Sequence, residues 1–246
     1  MPGLTREDAL FLDFDGTLAD LAERPDAVVI EPGLVAAIVR LRDHLGGALA
    51  IVSGRSIAQI DAFLTPLELP AAGVHGAERR RFDGITLHHE HTISPDIIES
   101  LQAFAALHAG VLVETKPGAV ALHYRMAPQL EALCVGAMQR AATFAPGCAV
   151  LLGKKVAELK PATADKGGAI AAFLDEAPFR GRRPVFAGDD MTDEGGFAVV
   201  QARGGIAIKV GTGPSIATHS LASPKALRHW IHRRATELDP ARSVSA

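Results

Sequence analysis

Two carboxylates stand close together at the end of an apolar run near the amino terminus, in the segment LFLDFDGTLAD. Asp13 and Asp15 are separated by Phe14 and are followed by Gly16. Because side chains alternate along a strand, the two carboxylates can project to one side while Phe14 packs on the other. Adjacent carboxylates repel each other unless a positive charge lies between them, and a divalent cation would neutralise both. This stretch therefore predicts a metal site where a buried strand ends.

A second acidic cluster follows another apolar run, in the segment RPVFAGDDMTDE. Its carboxylates are those of Asp189, Asp190, Asp193 and Glu194. Open α/β sheets bind ligands at the carboxyl ends of their strands, so this cluster would reach the same edge as the first. Carboxylate oxygens without clustered Cys or His ligands suit magnesium better than zinc. The two clusters together predict a Mg²⁺ site.

Magnesium held by carboxylates usually serves phosphoryl chemistry, which also needs donors for the anionic phosphoryl oxygens. Ser53, at the end of ALAIVSGR, and Lys166, in ADKGG, are candidate donors on turns or helix starts. A lone DxD or SGR is more often turn chemistry than catalysis. The ordered occurrence of all four pieces after successive strands is what favours a phosphoryl-transfer site.

The elements that must position these groups alternate between short apolar runs and helical patterns. The first part of the chain predicts strand, helix, strand, helix and strand, in the segments ALFLDF, PGLVAAIVRLRDHL, ALAIV, SIAQIDAFL and PAAGVHGAE. The pattern resumes later with DKGGAIAAFLDEA, RPVFAGDD, GIAIKVG and SPKALRHWIHRRATEL. Such alternation is typical of a parallel, doubly wound sheet.

The middle of the chain has a different pattern. Two helical segments each precede a pair of apolar runs joined by a tight turn, KPG in the first pair and GKK in the second. This αββαββ order predicts a small antiparallel sheet with helices on one face. We therefore expect an inserted domain at residues 86–161, connected through FDG and KPAT to a core formed by residues 1–85 and 162–246.

Composition limits the partners. The chain has 246 residues, 48% of them hydrophobic and 22% charged, which is enough to bury a substantial core. Its net charge of −3 offers no global positive field to nucleic acid or an anionic membrane, and no apolar run is long enough to cross a bilayer. Neither cysteine lies in a CxxC pair, and the first residues lack a signal-peptide pattern. We expect a cytoplasmic protein whose partners are small molecules.

The motifs DFDGT, SGR, the lysine of DKGG and GDDMTDE resemble, in this order, the four signature motifs of the haloacid dehalogenase-like (HAD) phosphatases. The resemblance implies a Rossmann-like parallel-sheet core with an inserted α+β cap. It implies that Asp13 is the nucleophile, which forms an aspartyl phosphate, and that Asp15 is the general acid and base. Ser53 and Lys166 would stabilise charge on the phosphoryl oxygens.

The same resemblance implies how Mg²⁺ is held. Its ligands would be the side chain of Asp13, the backbone carbonyl of Asp15 and the leading carboxylate of the last motif, Asp189. Asp190 and Asp193 would be auxiliary.

A narrower resemblance concerns the substrate. The segments GVHGAERR, ETKPGAVALHYR and KKVAELKP look like those of trehalose-6-phosphate phosphatases. This resemblance implies that residues of the cap, the hinge and the SGR motif bind the sugar phosphate, namely Gly54, Arg55, Gly76, Glu78, Glu114, Lys116, Arg125, Lys154 and Glu158. Charged groups of both signs suit a sugar with many hydroxyls. A solvated cross-strand ion-pair face would contain the same residue types.

The resulting hypothesis is Mg²⁺-dependent hydrolysis of trehalose 6-phosphate to trehalose and phosphate, in trehalose biosynthesis. One alternative is an HAD phosphatase for another sugar phosphate, such as sucrose 6-phosphate or a hexose phosphate. Others are a phosphomutase and a non-catalytic sugar-phosphate-binding regulator, although a pure binder would not need both Asp13 and Asp15. A functional link to trehalose-6-phosphate synthase is expected, and a free phosphatase suffices for the pathway.

Overall fold

The computed structural model describes residues 3–89 and 92–237. Its strands are β1 (Asp8–Leu12), β2 (Leu49–Val52), β3 (Ala71–Gly73), β4 (Glu78–Arg80), β5 (Thr86–His88), β6 (Leu112–Lys116), β7 (Ala119–His123), β8 (Cys148–Gly153), β9 (Val156–Pro161), β10 (Arg183–Gly188), β11 (Ile206–Val210) and β12 (His219–Leu221). Its α-helices are α1 (Leu34–His44), α2 (Ile57–Leu64), α3 (Pro95–Ala106), α4 (Glu131–Ala142), α5 (Lys166–Leu174), α6 (Glu194–Ala202) and α7 (Pro224–Glu237). Within these described ranges, no helix has both the length and the apolar character that a membrane span requires.

The larger sheet has the strand order β12-β11-β10-β1-β2-β3-β4-β5. The strands from β12 to β3 are parallel, whereas β4 and β5 add an antiparallel edge. Helix α1 packs against α7 and α5 against α6. All five residues of β1 are buried because strands and helices surround it, as the short continuous apolar run predicts. The predicted parallel sheet is confirmed.

The segment PAAGVHGAE, predicted as one strand, is instead a strand followed by a reversal. Strand β3 ends at Gly73, and Val74, His75 and Gly76 all have positive φ. These left-handed conformations reverse the chain, so that Ala72 pairs with Arg79 of β4 in an antiparallel register. Propensity does not reveal this turn, because valine is a poor residue for positive φ.

The predicted start of the inserted domain also needs correction. Residues 86–88 form β5, which pairs with β4 in the larger sheet, and FDG lies in the hairpin between them rather than in a linker between domains. We therefore assign residues 86–88 to the core and propose that the cap follows them.

The smaller sheet has the order β6-β7-β9-β8 and is antiparallel throughout. The predicted αββαββ order of this part of the chain is confirmed. Its apolar face carries Leu122 and Leu159, which form a second core with Cys134 and Met138 of α4. Strand alternation places the charged residues of β6 and β9 on the opposite face.

Aromatic rings fill the main core beneath β1. The rings of Phe11 and Phe179 stack with centroids 5.4 Å apart, and Phe173 lies 5.1 Å from Phe179. All three side chains are fully buried. Such rings contribute both buried area and favourable ring geometry.

We expect Phe179→Ala to lower the free energy of unfolding by about 3–5 kcal/mol, because it removes a buried ring and leaves a cavity. Phe144→Ala is the matched control, since Phe144 is 77% exposed, and it should change stability by no more than about 0.5 kcal/mol. Urea denaturation followed by circular dichroism measures both. Equal effects would contradict this account of the core.

Candidate active site

Three adjacent strands bring the predicted catalytic groups to one edge of the larger sheet. Leu12 of β1 pairs with Ala187 of β10, so Asp13 and Asp189 follow neighbouring strand ends. Strand β2, on the other side of β1, ends just before Ser53. The backbone therefore brings the DFD, SGR and GDD segments together, as predicted.

Lys166 lies between two buried carboxylates at this edge. Its Nζ donates to Asp13 Oδ1 and to Asp193 Oδ1, at 2.7 Å in each case. Burial alone would lower the pKa of Lys166, but the two carboxylates outweigh it and raise that pKa. The ammonium therefore stays charged next to the candidate nucleophile.

Asp13 is held at both oxygens. Oδ1 accepts from Lys166, and Oδ2 accepts from Thr17 Oγ1 at 2.9 Å. Burial raises the pKa of Asp13, Lys166 opposes the shift, and the carboxylates of Asp193 and Asp189 add to it. A positive charge that offsets these neighbouring carboxylates therefore favours the ionised, nucleophilic form of Asp13.

The carboxylates offer a site that fits a hard divalent cation. Asp13, Asp189 and Asp193 each provide an oxygen, all three within 4.8 Å of one another, and all three residues are buried. Gly16 permits this approach, because a Cβ at that position would overlap the carboxylate of Asp189. A cluster of oxygens without sulfur or imidazole suits Mg²⁺.

Asp193, predicted as an auxiliary metal residue, already has partners for both oxygens. Oδ1 accepts from Lys166, and Oδ2 accepts from the backbone N–H groups of Asp189 and Asp190 at 2.9 Å. It therefore holds the loop that carries Asp189. Asp190 lines the cavity, and its side chain accepts from the N–H of Met191 at the start of the following turn.

Arg55, predicted as a substrate residue, lines the cavity and is also paired with protein groups. Its guanidinium makes two 2.7 Å hydrogen bonds to the carboxylate of Asp15 and a 2.9 Å bond to the carbonyl of Pro25. It also lies over the rings of Phe14 and Phe63, 5.5 and 4.8 Å from their centroids. Arg55 therefore orients the candidate general acid in this arrangement.

The charged face of the smaller sheet lies above the core site. Lys116 Nζ donates to Glu158 Oε2 and to the carbonyl of Gly54, at 2.9 Å in each case, and is 3.6 Å from Glu114. Burial opposes ionisation of Glu158, but Lys116 and then His75 outweigh it and lower its pKa to about 2. This carboxylate stays ionised at neutral pH.

Glu114 links the cap to the core. Gln59 of α2 donates to its Oε1 at 2.6 Å, and His123 Nε2 lies 2.7 Å from its Oε2. Burial opposes ionisation, but the hydrogen bond with His123, the charge of Lys116 and the bond from Gln59 lower the pKa of Glu114 to about 2. The cap face therefore presents two ionised carboxylates around one ammonium.

Two further predicted substrate residues come from the β8–β9 turn and the end of β7. Lys154 Nζ contacts the carboxylate of Asp189 and donates to its backbone carbonyl at 3.1 Å. Arg125 donates to the carbonyl of Lys154 at 2.8 Å. The turn therefore brings a positive charge directly to the carboxylate cluster.

A cavity of about 160 Å³, partly open to solvent, separates the two charged surfaces. Most of the predicted site residues line it: Asp13, Asp15, Ser53, Gly54, Arg55, Glu114, Lys116, Arg125, Lys154, Glu158, Lys166, Asp189 and Asp190.

Gly76 and Glu78, both predicted to bind substrate, do not line this cavity. The Glu78 carboxylate accepts from the N–H of Ile57 at 2.6 Å, which satisfies the first turn of α2. Gly76 has φ +103° in the reversal after β3, where a Cβ would lie 2.8 Å from the carbonyl of Asp165. We propose that both residues position the site without contacting substrate.

Several lining or supporting residues were not predicted from the sequence. Thr17 lies four residues after Asp13, in DFDGT, and His75 lies in GVHG, so both had a signal within motifs already noted. No sequence motif pointed to Gln59 or to the segment 21–28, part of which lines the cavity. Their positions depend on tertiary packing.

Comparison with known proteins identifies relatives along nearly the whole chain. The trehalose-6-phosphate phosphatase of Escherichia coli (strain K12) is 44% identical over 243 residues, which cover 98% of this chain and 91% of that protein. A probable trehalose-phosphate phosphatase of Sinorhizobium fredii (strain NBRC 101917 / NGR234) is 47% identical over 230 residues, covering 91% and 86% respectively.

A solved structure of a trehalose-6-phosphate phosphatase related protein is also similar, with a TM-score of 0.76, 26% identity, and coverage of 93% of this chain and 97% of that one. The predicted fold class, a HAD-like parallel-sheet core with an inserted cap, is confirmed. The trehalose-phosphatase family model matches residues 11–227. The chain therefore belongs to the trehalose-phosphatase family and is a phosphatase.

Proposed function

We propose that this phosphatase hydrolyses trehalose 6-phosphate to trehalose and inorganic phosphate. The observation that carries the proposal is the pairing of two surfaces across one cavity. Asp13 and Lys166 lie on the core side, and Glu114, Lys116 and Glu158 lie on the cap side. The first pair suits a phosphoryl group and the second set suits a polyhydroxyl leaving group.

The chemistry assigned to the core side has two steps. The carboxylate of Asp13 attacks phosphorus, a bond forms from its oxygen to phosphorus, and the bond from phosphorus to the sugar oxygen breaks. Asp15 gives its proton to that sugar oxygen. Asp15 then takes a proton from water, whose oxygen attacks phosphorus and releases phosphate and the free Asp13 carboxylate. Lys166 and Ser53 stabilise charge on the phosphoryl oxygens.

We propose Mg²⁺ as the metal, held by the carboxylates of Asp13 and Asp189 and by the backbone carbonyl of Asp15. When bound, the ion withdraws negative charge from the phosphoryl oxygens. Asp193, an auxiliary residue of this site, fixes Lys166 and the loop of Asp189 through its hydrogen bonds.

The cap supplies selectivity and limits water. Lys116 donates to a core carbonyl, and Gln59 of the core donates to Glu114, so the cap rests directly over the cavity in this arrangement. A covered cavity favours transfer to the intended water molecule and strengthens the charge interactions inside it.

The other readings are less well supported. A non-catalytic regulator needs neither a nucleophile nor an acid, yet Asp13 and Asp15 both line the cavity. A phosphatase for sucrose 6-phosphate or a hexose phosphate would use the same core, and relatives named for trehalose phosphate favour our substrate. We place the reaction in the cytoplasm, functionally after a trehalose-6-phosphate synthase. The free thiols of Cys134 and Cys148 support a reducing compartment.

Asp13→Asn should reduce phosphate release by about 10³-fold or more, because an amide oxygen is a far weaker nucleophile. Asp43→Asn, an exposed change away from the cavity, is the matched control and should keep full activity. In the unmodified protein, acid quenching during turnover should trap phosphate on the peptide that contains Asp13. Persistent hydrolysis by Asp13→Asn would contradict the assigned nucleophile.

Removal of divalent cations with EDTA should abolish turnover, and added Mg²⁺ should restore it. Asp189→Asn should raise the Mg²⁺ concentration needed for half-maximal activity, because it removes one negative ligand. A magnesium titration of phosphate release measures both. Full activity in the presence of excess chelator would rule out the metal.

Among trehalose 6-phosphate, sucrose 6-phosphate and glucose 6-phosphate, the first should have the highest kcat/KM. Lys116→Met should raise KM for it roughly 10–100-fold, because the ammonium between two carboxylates is lost, with much less effect on p-nitrophenyl phosphate. Lys155→Met, which alters an exposed lysine on the β8–β9 turn, is the control. Preference for another ester would refute the substrate and retain the phosphatase.

A further inference from the structure

His75 lies on a strained part of the backbone. Val74 and His75 have φ of 49° and 55°, and valine is rarely found in this left-handed region. The backbone is held there by two hydrogen bonds, from Val74 N to the carbonyl of Arg55 at 2.8 Å and from His75 N to the carbonyl of Ser53 at 2.9 Å. Strain of this kind persists where the surroundings fix it, often at functional sites.

The strained turn places the imidazole against the SGR motif and inside the cavity lining. A Cβ at Gly54 would lie only 2.6 Å from His75 Nε2, so the ring and the glycine occupy mutually dependent positions. His75 belongs to the core, yet its Nε2 is 3.5 Å from Oε2 of Glu158, which belongs to the cap. The ring therefore connects the two parts of the protein at the cavity.

Glu158 is held asymmetrically. Its Oε2 accepts from Lys116 at 2.9 Å and faces His75, whereas its Oε1 is buried and has no hydrogen-bond partner within residues 3–89 and 92–237. Within the same described ranges, His75 Nδ1 is also buried without a partner. Buried polar atoms are nearly always paired, so each needs an explanation.

The two unpaired atoms, Nδ1 of His75 and Oε1 of Glu158, both need hydrogen-bond donors as partners. Burial lowers the pKa of His75, although Glu158 opposes the shift, so the ring is neutral at pH 7. A neutral ring that directs its Nε2 proton to Glu158 leaves Nδ1 as an acceptor. Glu158 Oε1 is an acceptor as well. The missing partners are therefore hydrogen-bond donors, and sugar hydroxyls are donors of this kind.

We propose that His75 is a positioning residue that fixes Glu158 for a hydroxyl of the leaving sugar and thereby selects sugar phosphates over simpler phosphate esters. The proposal rests on the function proposed above and names the contact that couples its core to its cap. Because this contact joins the two parts, selection takes place when the cap lies over the core.

His75→Asn tests the proposal, because asparagine tolerates positive φ but its amide is too short to reach Glu158. We expect kcat/KM for trehalose 6-phosphate to fall about tenfold, mainly through KM, with kcat/KM for p-nitrophenyl phosphate unchanged within about twofold. His75→Gln, whose amide nitrogen extends as far as Nε2, should recover part of the loss. His219→Asn, an exposed change on edge strand β12, is the control.

A double-mutant cycle with Glu158→Gln separates positioning from support of the fold. If His75 acts through Glu158, His75→Asn should add almost nothing to the KM of Glu158→Gln. Equal losses on both esters, or losses that multiply independently, would overturn the proposal.

Failure of the proposed function gives a different result. The unmodified protein would then hydrolyse p-nitrophenyl phosphate and prefer another sugar phosphate to trehalose 6-phosphate. The same cycle, measured with that preferred ester, would still confirm or overturn the role of His75.

Discussion

The site depends on one buried ammonium. Lys166 joins Asp13, which follows β1, to Asp193, which follows β10, and all three side chains are almost fully buried. Removing one partner of a buried ion pair typically costs about 3–5 kcal/mol, so each group requires the others. With Asp189 nearby, three carboxylates lie around this ammonium, and the ammonium of Lys154 contacts the third. This concentration of carboxylate oxygens is what suits the strand edge to a cation.

The cap repeats this arrangement with a different outcome. Lys116 lies between Glu114 and Glu158, and all three groups are ionised, as their contacts and the pKa values of the two carboxylates indicate. In the core, the lysine and its carboxylates hold a reacting group. In the cap, the same charge types line the cavity, and we propose that they offer two acceptors and one donor to hydroxyls. In the function proposed above, chemistry and selectivity therefore use similar pairs on separate sheets.

Local patterns explain how much of this could be predicted from the sequence. Asp13 and Asp189 follow strands whose apolar runs are unmistakable, so their convergence could be predicted from alternation and parallel topology. Arg55 could not be placed, because its partner Asp15 lies 40 residues away and competes with any ligand for the guanidinium. Glu78 could not be placed for a similar reason, because the N–H of Ile57 from which it accepts lies 21 residues away. The reversal at Val74 contradicts the residue's own propensity and is imposed by tertiary hydrogen bonds.

The polar groups proposed to recognise the substrate also hold the cap against the core. Lys116 bonds a core carbonyl, Gln59 bonds Glu114, and Lys154 bonds Asp189, so each contact joins the cap to the core. Charged groups leave water at a large cost unless they find partners. The cap can therefore cover the core only when these groups are paired, either with one another or with a bound sugar phosphate. A substrate that pairs them all replaces the protein's own contacts, whereas one that leaves a carboxylate unpaired makes the covered state less stable.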